Sequence, residues 1–502
     1  MAITFTQVSG ATVDTTDQLN IFEAYQKAFI VNGTNKKVLD FVNDKLTLAA
    51  LTTPPLRGDT LTQATSGATM IVDFVNAAKT EIYGYRTSTA AFNTTNTVSS
   101  DNAGGQTMDP ATFTPSAVVA QASGPHWYDW TKHPSKTTTL PAKLYLGCLY
   151  RGRNVVSGNP NDPYQWYMSR QGDPFDFDYA SNDAQTAVAG ANADAGKVGD
   201  IIRALIPWHD DYLIFGCASS MHILQGDPAV GGEIYPLSDK VGIFGDRSYT
   251  FDAHGNLWFW GTGGIYSMQF NGQAFGPPMN MSVMALPDLI EDKDADPSTH
   301  RITMGFDPKR NGIQIAITTL ADGTCSGYWY DLNTQGFFPE SYNAVNGVYS
   351  QFFYAANDPA DEALLIGTAE GYVKTFDDNT KDDNVGNSNE LIDSECLFPV
   401  QAMSEDTDVM GKLQSVTIHA AGGRAGGNRS DTDSISYDIY VANDAEELVE
   451  DVEDGDSGLH NGTVRGPGRA HRIRKKGRGV FLGIKLSNAT LAETWAVEKL
   501  NA

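Results

Sequence analysis

Residues Leu144–Tyr179 read LYLGCLYRGRNVVSGNPNDPYQWYMSRQGDPFDFDY, and this stretch decides the fold class of the chain. Short apolar and aromatic runs alternate in it with turns of Asn, Asp, Gly and Pro. Strands of about five residues joined by tight turns are typical of antiparallel hairpin sheets. The stretch therefore predicts one small antiparallel sheet, the unit from which a propeller blade is made.

The same succession of apolar strands and turns recurs before and after this stretch. The further copies are Leu19–Phe41, Asp200–Asp227, Phe244–Phe270, Arg301–Leu332 and Gly347–Phe376. After the first interval the copies follow one another at about 45 residues, a period typical of propellers and other β arrays. They lack the signature of a WD40 or kelch array. We therefore predict an all-β protein built on a β-propeller of about six blades.

Composition divides the chain into four segments. Residues 1–49 are predicted as the first blade and residues 137–398 as the remaining blades. Between them, residues 50–136 are rich in Thr, Ser, Asn, Ala and Gly but keep the alternation of strands, which favours a small inserted β domain over a long, partly disordered loop. Residues 399–502 alternate apolar and polar side chains between long loops, which predicts a C-terminal β-sandwich-like domain.

Charge and hydropathy limit the classes of function. With 35 Lys and Arg against 61 Asp and Glu, the net charge is −26, so we expect no tight coating of nucleic acid through phosphate contacts. The opening MAITFTQVSG has neither the basic nor the apolar region of a signal peptide, and no run of 18 apolar residues occurs. The sequence therefore predicts neither secretion by a signal peptide nor a membrane span.

Cysteine usage predicts neither a metal centre nor a disulfide framework. The chain has four cysteines far apart in sequence, and none forms a CxxC pair: Cys148, Cys217, Cys325 and Cys396. They lie mostly within apolar patterns, so we interpret them as buried small hydrophobes of a reducing compartment.

The segment HWYDWTKH, His126–His133, is the densest cluster of aromatic and imidazole groups. Its rings could stack on bases or sugars, and its two histidines could bind a metal. No cysteine or carboxylate set completes a metal site, so we favour an aromatic plug packed between the insert and the propeller.

A second motif, TFDAHGNLW, is close to the Asp-box turn of sialidase-like propellers, with one extra residue. Its defining residues are Thr250, Asp252, Gly255 and Trp258. The Asp is expected to cap backbone N–H groups of a hairpin turn, the Gly to supply a positive φ, and the Trp to pack beneath. Such turns are structural, so the motif supports a propeller and not hydrolysis.

Charged runs mark three acidic segments and one basic segment. The acidic segments are Glu291–Asp296, Asp377–Asn384 and Glu450–Gly458; none matches an EF-hand loop, so solvated loops are favoured over Ca²⁺ sites. A short helix is predicted over Ser282–Lys293. The basic segment Val464–Gly479 contains Arg465, Arg469, Arg472, Arg474, Lys475, Lys476 and Arg478. It could contact DNA phosphates, pair with an acidic face of a neighbouring subunit, or form a solvated edge strand; we favour the subunit interface.

The opening stretch resembles a blade of the tail nozzle proteins of short-tailed bacteriophages, also called tail hub or packaged-DNA stabilisation proteins. The residues that carry the resemblance are Asn161, Asp162, Pro163, Trp166, Tyr167, Ser169, Gly172, Asp173, Pro174 and Phe177. SDKVGIFGDRSYTF is similar to that family's G-I-x-x-x-R-S stretch, and the C-terminal GRAHRIRKKGRGVFLGIKLSNATLAETWAVEKL to its closing strands. The resemblance covers Lys143–Met268 well, the C-terminal domain loosely and the insert not at all.

The resemblance implies a structural protein of the virion tail, made in the host cytoplasm. It implies a ring of subunits, usually six, below the portal and adaptor proteins, which continues the DNA channel, retains packaged DNA and carries fibres or a tip. The sequence contains no evident catalytic triad or metal-ligand set, so we expect no catalytic residues, no metal and no cofactor, and we expect duplex DNA only to pass through transiently. Two alternatives stay open: a carbohydrate-binding or carbohydrate-cleaving propeller, and a tail-tip or fibre-attachment protein.

Overall fold

The computed structural model of the protein is almost entirely β structure, as the sequence predicts. It describes residues 13, 17–180, 183–191, 195–208, 210–270, 275–376, 381–386, 388–405, 409–421, 431–432, 434–466 and 468–502. The chain forms two compact units, one of residues 1–342 and 348–367 and one of residues 343–347 and 368–502.

Four successive antiparallel sheets, each of four strands in sequence order, follow one another in the N-terminal unit. Their strands are Leu146–Tyr150, Arg153–Asn159, Asp162–Met168 and Val188–Ala189; Ile202–Trp208, Tyr212–Cys217, Met221–Gln225 and Glu233–Ser238; Tyr249–Phe251, Leu257–Gly261, Gly264–Met268 and Met279–Asn280; and His300–Asp307, Gly312–Thr319, Cys325–Asp331 and Gly336–Tyr342. We call them the second to fifth sheets. The strands Val348–Tyr354 and Ala363–Thr368 begin a sixth sheet.

The first sheet takes its last strand from far along the chain. Asn20–Ala24, Lys27–Asn32 and Asn35–Asp40 form a meander, and His126–Asp129 pairs antiparallel with Asn35–Asp40. The sequence-based boundary at residue 49 therefore differs from the sheet, because hydrogen bonding recruits a strand from beyond the insert.

The insert is a seven-stranded sheet with its own core. In sheet order its strands are Ala117–Val119, Asp44–Thr47, Glu81–Arg86, Ala68–Val75, Thr60–Gln63, Val98–Ser100 and Thr112–Phe113. Leu46, Leu61, Met70 and Ile82 are completely buried in it. The strand Asp44–Thr47 thus belongs to the insert, although the sequence places it in the first blade.

The C-terminal unit contains a four-stranded and a three-stranded sheet that contribute to one buried cluster. In sheet order the strands are Ser394–Ala402, Phe481–Asn488, Ile435–Ala442 and His460–Val464 in one, and Ala470–Ile473, Val416–Ala420 and Val497–Asn501 in the other. Shorter strands are Val373–Thr375, Asp383–Val385, Ser388–Glu390, Gly411–Leu413 and Gly477–Gly479. Alternate residues such as Ile418, Ile439 and Ile484 point into the cluster, as two sheets facing each other require.

Two helices differ from the sequence-based expectation. The α-helix predicted over Ser282–Lys293 is confined to Leu289–Lys293, and Val283, in the part that is not helical, is 53% exposed. A second helix, Ala445–Glu453, was not expected, and it includes the first four residues of the acidic segment Glu450–Gly458, which the sequence analysis interprets as a solvated loop. Asp444 caps it by accepting a hydrogen bond from the Glu446 N–H, and Leu448 is its buried anchor.

The four cysteines are free, but they are not all buried. Cys148, Cys217 and Cys325 lie in sheet cores, where burial raises the pKa of each thiol. Cys396 is exposed on Ser394–Ala402, so its interpretation as a buried hydrophobe is wrong. This strand lies at the edge of its sheet, and most of its side chains are exposed. The sequence does not show this exposure, because the apolar residues Leu397 and Phe398 next to Cys396 are typical of a buried strand.

Candidate functional site

The first strands of the first to sixth sheets line one cavity; the sheet of the insert does not contribute to it. Its volume is about 720 Å³. The strands that line it are Asn20–Ala24, Leu146–Tyr150, Ile202–Trp208, Tyr249–Phe251, His300–Asp307 and Val348–Tyr354. We call this space the central cavity.

Polar side chains from the first and fourth sheets meet across the central cavity. Asp246 Oδ1 accepts a hydrogen bond from Gln18 Nε2 at 2.6 Å, and its Oδ2 accepts one from Asn20 Nδ2 at 3.0 Å. The neighbouring Arg247 donates from its terminal nitrogen to the Leu19 carbonyl oxygen at 2.5 Å. These bonds form a bridge between the start of the first sheet and the segment just before the first strand of the fourth sheet, at the wall of the cavity.

A second arginine lies beside this bridge. Arg301 stacks its guanidinium on the ring of Tyr349, 5.0 Å from the ring centroid. Burial lowers the pKa of Arg301, the positive charge of Arg247 lowers it further, and the carboxylate of Asp246 partly offsets both. Two arginines and a single carboxylate therefore share one partly dehydrated region; we call Gln18, Asn20, Asp246, Arg247 and Arg301 the polar mouth.

The sequence analysis named none of these residues as a site candidate. Arg247 appears there only as the Arg of the stretch GIFGDRS. Each lies at or just before the start of the first strand of a repeat. Asn20, Asp246 and Arg301 occupy similar positions when the repeats are aligned on the starts of their first strands. This shared position is the sequence signal that could have grouped them. The pairing across the cavity has no signature in the sequence, because it joins residues separated by up to 228 positions.

The residues of the tail-nozzle motif lie in the second sheet and in the loop that follows its third strand. Trp166 is completely buried against Phe215 of the third sheet, with ring centroids 5.8 Å apart. Ser169 accepts a hydrogen bond from the Asn154 N–H at 3.0 Å. Gly172 has a φ of +75°, and Asp173 Oδ1 caps the Phe175 N–H at 3.0 Å.

The remaining motif residues also have structural positions. Asn161 forms the hairpin turn, Asp162 and Pro163 begin the third strand, and Tyr167 is half-buried within it. The Pro174 carbonyl oxygen accepts from Trp130 Nε1 at 2.8 Å, and Phe177 is completely buried. The motif therefore packs the sheets together and places no reactive group in a cavity.

The Asp-box-like turn has the geometry expected of a capped hairpin. Asp252 Oδ1 accepts from the backbone N–H groups of His254 and Asn256 at 2.8 and 3.0 Å. Its Oδ2 accepts from Trp258 Nε1 at 3.0 Å, and Gly255 has a φ of +77°. Thr250 lies opposite Trp258 in the strand pair. Both carboxylate oxygens of Asp252 therefore accept hydrogen bonds from residues of the same hairpin.

The cluster His126–His133 packs the first sheet against the insert. Tyr128 stacks on Phe74 at 4.8 Å between ring centroids, and Trp130 lies edge-on to Phe29 at the same distance. His126 is buried near Tyr83. Among the described residues, no group of three or more His, Cys, Asp or Glu side chains is placed to hold a metal ion.

The imidazole of His133 is buried, and its pKa lies below the usual value for histidine. Its Nε2 donates to the Pro55 carbonyl oxygen at 3.2 Å, and its Nδ1 accepts from the Ser135 N–H at 3.2 Å. Burial is the main reason that the pKa of His133 falls from 6.5 to about 4; the charge of Lys136 adds to the effect, and the bond to Pro55 opposes it.

We expect His133 to destabilise the folded state in acid. The unfolded chain takes up the proton near pH 6.5 and the folded chain only near pH 4, so the stabilisation is complete above pH 6.5 and is lost as the pH falls towards 4. The loss is about 3 kcal/mol. Urea unfolding at pH 7 and pH 4 measures how much the free energy of unfolding falls between the two pH values, and this fall should be about 3 kcal/mol smaller in His133→Gln than in wild type. The control His254→Gln, at an exposed histidine, should show the same fall as wild type. Equal losses in wild type and His133→Gln would contradict this assignment.

The basic segment alternates exposed basic side chains with buried residues such as Val464 and Ile473 in the C-terminal unit. All seven side chains named above are exposed, and within the described part of that unit none has a carboxylate oxygen within the 4.0 Å of an ion pair. Arg472 lies on the edge strand Ala470–Ile473 and donates from Nε to Ser415 Oγ at 3.1 Å. Residue 467 lies outside the described residues. The segment is therefore a surface of unpaired positive charge on an acidic chain.

The acidic segments lie on surfaces of both units. Glu291–Asp296 contains the last three residues of the helix Leu289–Lys293 and the three residues after it, and Glu450–Gly458 begins with the last four residues of the helix Ala445–Glu453. Exposed carboxylates also occur earlier on this helix, so the acidic surface here extends over Glu446–Asp456. In Asp377–Asn384, residues 377–380 lie outside the described part. Residues 1–12, which carry the prediction about a signal peptide, also lie outside it. No described helix is long and apolar enough to cross a membrane.

Comparison with known proteins identifies no family. No family model matches the chain, and no curated protein matches it. Similar solved structures include a protein described as the extracellular domain of a one component system from B. thetaiotaomicron, at 10% identity and a TM-score of 0.31 over 91% of this chain. The chain spans 58% of that protein.

Two enzymes are similar at the same low level. Dihydro-heme d1 dehydrogenase NirN matches at 9% identity and a TM-score of 0.28, over 87% of this chain and 79% of its own. Exo-beta-1,3-galactanase from Phanerochaete chrysosporium matches at 8% identity and a TM-score of 0.16, over 91% of this chain and 99% of its own. At these TM-scores the likenesses carry no argument about function.

Proposed function

We propose that the six successive sheets are the six blades of one β-propeller, with the seven-stranded sheet as an insert and the C-terminal unit as a sandwich-like domain. The support is that the first strand of every sheet lines the same cavity, which is where the innermost strands of a propeller lie. The late strand His126–Asp129 completes the first blade in this arrangement, because the insert interrupts the blade between its third and fourth strands.

We propose further that the protein is a structural component of a bacteriophage tail that assembles as a closed ring, usually of six copies, below the portal and adaptor proteins. In this role it continues the DNA channel, retains packaged DNA and releases it at ejection, and it carries fibre or tip proteins. The proposal starts from the resemblance of Lys143–Met268 to tail nozzle proteins. The observation that carries it is the exposed, unpaired basic segment on a chain of net charge −26.

Charge complementarity explains how copies would join. A head-to-tail ring needs two different patches that fit each other. The basic segment is one patch, and the acidic segments Glu291–Asp296, Asp377–Asp383 and Glu446–Asp456 are candidates for the other. Opposite charges set the register and orientation of such an interface more than its affinity, so apolar β surface supplies most of the adhesion.

The central cavity supports passage of DNA between copies rather than through one. Its volume of about 720 Å³ and the bridge from Asn20 and Gln18 to Asp246 leave no room for a duplex. A channel for DNA therefore requires several copies around a common axis. The structural role also leads us to expect no turnover of sialosides, other glycosides, esters or nucleic acid; reproducible turnover abolished by a single carboxylate substitution would contradict it.

We expect the assembled protein to bind duplex DNA weakly. DNA leaves quickly during ejection, and a lumen lined with Lys and Arg would retain it, because each phosphate contact releases counterions and adds affinity. Filter binding at moderate salt should show no submicromolar, sequence-independent affinity. Tight binding that disappears when the basic segment is neutralised would instead assign Val464–Gly479 as a DNA clamp.

A further inference from the structure

The four-stranded sheet of the C-terminal unit has two unpaired edges. Ser394–Ala402 forms one edge and His460–Val464 forms the other, and no other described strand pairs with the outer side of either. A row of backbone N–H and C=O groups without strand partners is a ready template for a strand of another chain. Each edge is therefore a place where a strand of a second copy can continue the sheet.

Only the first half of Ser394–Ala402 is suited to such pairing. Pro399 has no backbone N–H, and the register of this strand against its neighbour shifts at the same place. A proline and a bulge are devices that close an edge, so they limit the open part to residues 394–398. The other edge strand, His460–Val464, also has five residues, so the two open edges match in length.

Strand direction and facing both allow the two edges to join. Three antiparallel pairings separate the two strands within one copy, so they run in opposite directions, and a pair formed between two copies is antiparallel as well. Cys396 and Phe398 lie opposite buried residues of the neighbouring strand, and so do Gly462 and His460 at the other edge. Placing Cys396 opposite Gly462 of the next copy therefore keeps both sets on one face of the sheet.

In this register the charges of the two edges are complementary. Asp393 lies opposite Arg465 of the next copy, one position beyond the paired strands, and Glu395 on the same face is diagonal to that arginine. All three side chains are exposed, and in the described part of this unit neither Asp393 nor Arg465 has an ion-pair partner. Glu395 lies 2.6 Å from Lys485 of its own copy and remains 63% exposed. Opposite charges at facing positions stabilise a strand pair, so the register joins an acidic edge to a basic one.

Apolar side chains meet in the same register. Leu397 is 39% exposed on the face that points away from the buried cluster, and Leu459, just before the other edge strand, is 54% exposed. The register places Leu459 of the next copy diagonal to Leu397, a distance that long side chains bridge in a sheet. The contact therefore covers two of the exposed apolar side chains of this unit.

We propose that residues 394–398 of one copy pair antiparallel with His460–Val464 of the next copy, so that the four-stranded sheets of successive copies form one continuous sheet. This contact joins the subunits of the proposed ring and rests on that proposal. Because the two edges are different strands, the contact is head-to-tail, which is the type of interface that closes into a ring.

Disulfide cross-linking of the full chain tests the register. The variant combines Cys396→Ser with Leu397→Cys and Asn461→Cys, both at exposed positions that face each other in the proposed pair. Within one copy three strand spacings, about 14 Å, separate the two new cysteines, which is too far for a disulfide, so a bond between them joins two copies. The other three cysteines are buried. We expect a series of covalent multimers on a non-reducing gel after oxidation.

The matched control omits Asn461→Cys and should give no multimers on the same gel. Dimers of this control, at the yield of the full variant, would mean that two copies of Ser394–Ala402 pair with each other, and this result overturns the proposal. Rings of the full variant that form without cross-links overturn it as well.

Exchanging the charges tests the orientation of the contact. Asp393→Arg and Arg465→Asp should each lower the fraction of protein in rings at least about tenfold by light scattering, because like charges then face each other. The double variant should recover part of the loss, since the exchanged pair attracts again while Glu395 stays in place. Normal rings in both single variants overturn the proposed contact and leave the ring standing, whereas wild-type protein that is monomeric in solution and in particles overturns both.

Discussion

We expect that replacing Arg472, Arg474, Lys475 and Lys476 together by glutamate abolishes ring assembly while the monomer still folds. All four side chains are exposed and have no carboxylate partner within the described part of their unit, so their replacement removes no ion pair seen in the monomer. In a ring they would face acidic surface, and the reversal would turn attraction into repulsion between like charges, which costs several kcal/mol across an interface. Electron microscopy of tails and light scattering of purified protein would measure the loss.

A matched control separates this effect from a change in net charge. Lys143, Lys197, Lys240 and Lys309 are exposed lysines of the N-terminal unit, and their replacement by glutamate changes the charge by the same amount. This control should assemble as wild type does. Normal rings from the variant with the reversed basic segment would show that the segment is not an interface, and wild-type protein that is monomeric both in solution and in particles would end the ring proposal altogether.

The second large effect is expected at a buried ionic network that joins the first sheet to the insert. Lys27 is only 4% exposed, and its Nζ lies 2.6 Å from Asp73 Oδ2. Arg57 Nε donates to Asp73 Oδ1 at 2.9 Å, and Asn43 Nδ2 to its Oδ2 at 2.8 Å. Burial alone would raise the pKa of Asp73, but the charges of Lys27 and Arg57 and the bonds from Lys27 and Asn43 outweigh it and lower the pKa.

Replacing Asp73 by Ala should lower the free energy of unfolding by about 3–5 kcal/mol, because the buried ammonium of Lys27 loses its close partner. The remaining carboxylate, Asp40, is 3.9 Å from it. Urea unfolding monitored by tryptophan fluorescence would give the value. The double variant Lys27→Met with Asp73→Leu removes the unpaired ammonium and should recover only part of the loss, since Arg57 and the buried Asp40 then lack the counter-charges they have in the wild type.

The exposed pair Lys37–Asp129 in the first sheet is the matched control for this network. Asp129 is 68% exposed, so Asp129→Ala should cost no more than about 1 kcal/mol. A loss of that small size for Asp73→Ala would mean that water reaches Lys27 and that the network does not hold the insert. As long as Lys27 stays charged, lowering the pH through the depressed pKa of Asp73 should destabilise the wild type in the same direction as the substitution.

The sequence by itself determined that the protein is all-β and where most strands lie. Turn residues and apolar runs at short spacing are local signals, and the second to fifth sheets are each built from strands that are consecutive in sequence, so local patterns suffice for them. The capped turn at Asp252 was readable for the same reason, because every partner of its carboxylate lies within six residues.

Only the tertiary structure decided how the first sheet is completed and where polar groups meet. His126–Asp129 pairs with a strand more than eighty residues earlier, and Asp246 meets Gln18 and Asn20 across the central cavity. Neither pairing leaves a periodic trace, because the first joins strands on either side of the insert and the second joins residues of different repeats. The exposure of Cys396 was likewise decided by the position of its strand at a sheet edge. A strand has the same local alternation at the edge and in the middle of a sheet, so what covers its faces depends on residues that are close in space and far apart in sequence.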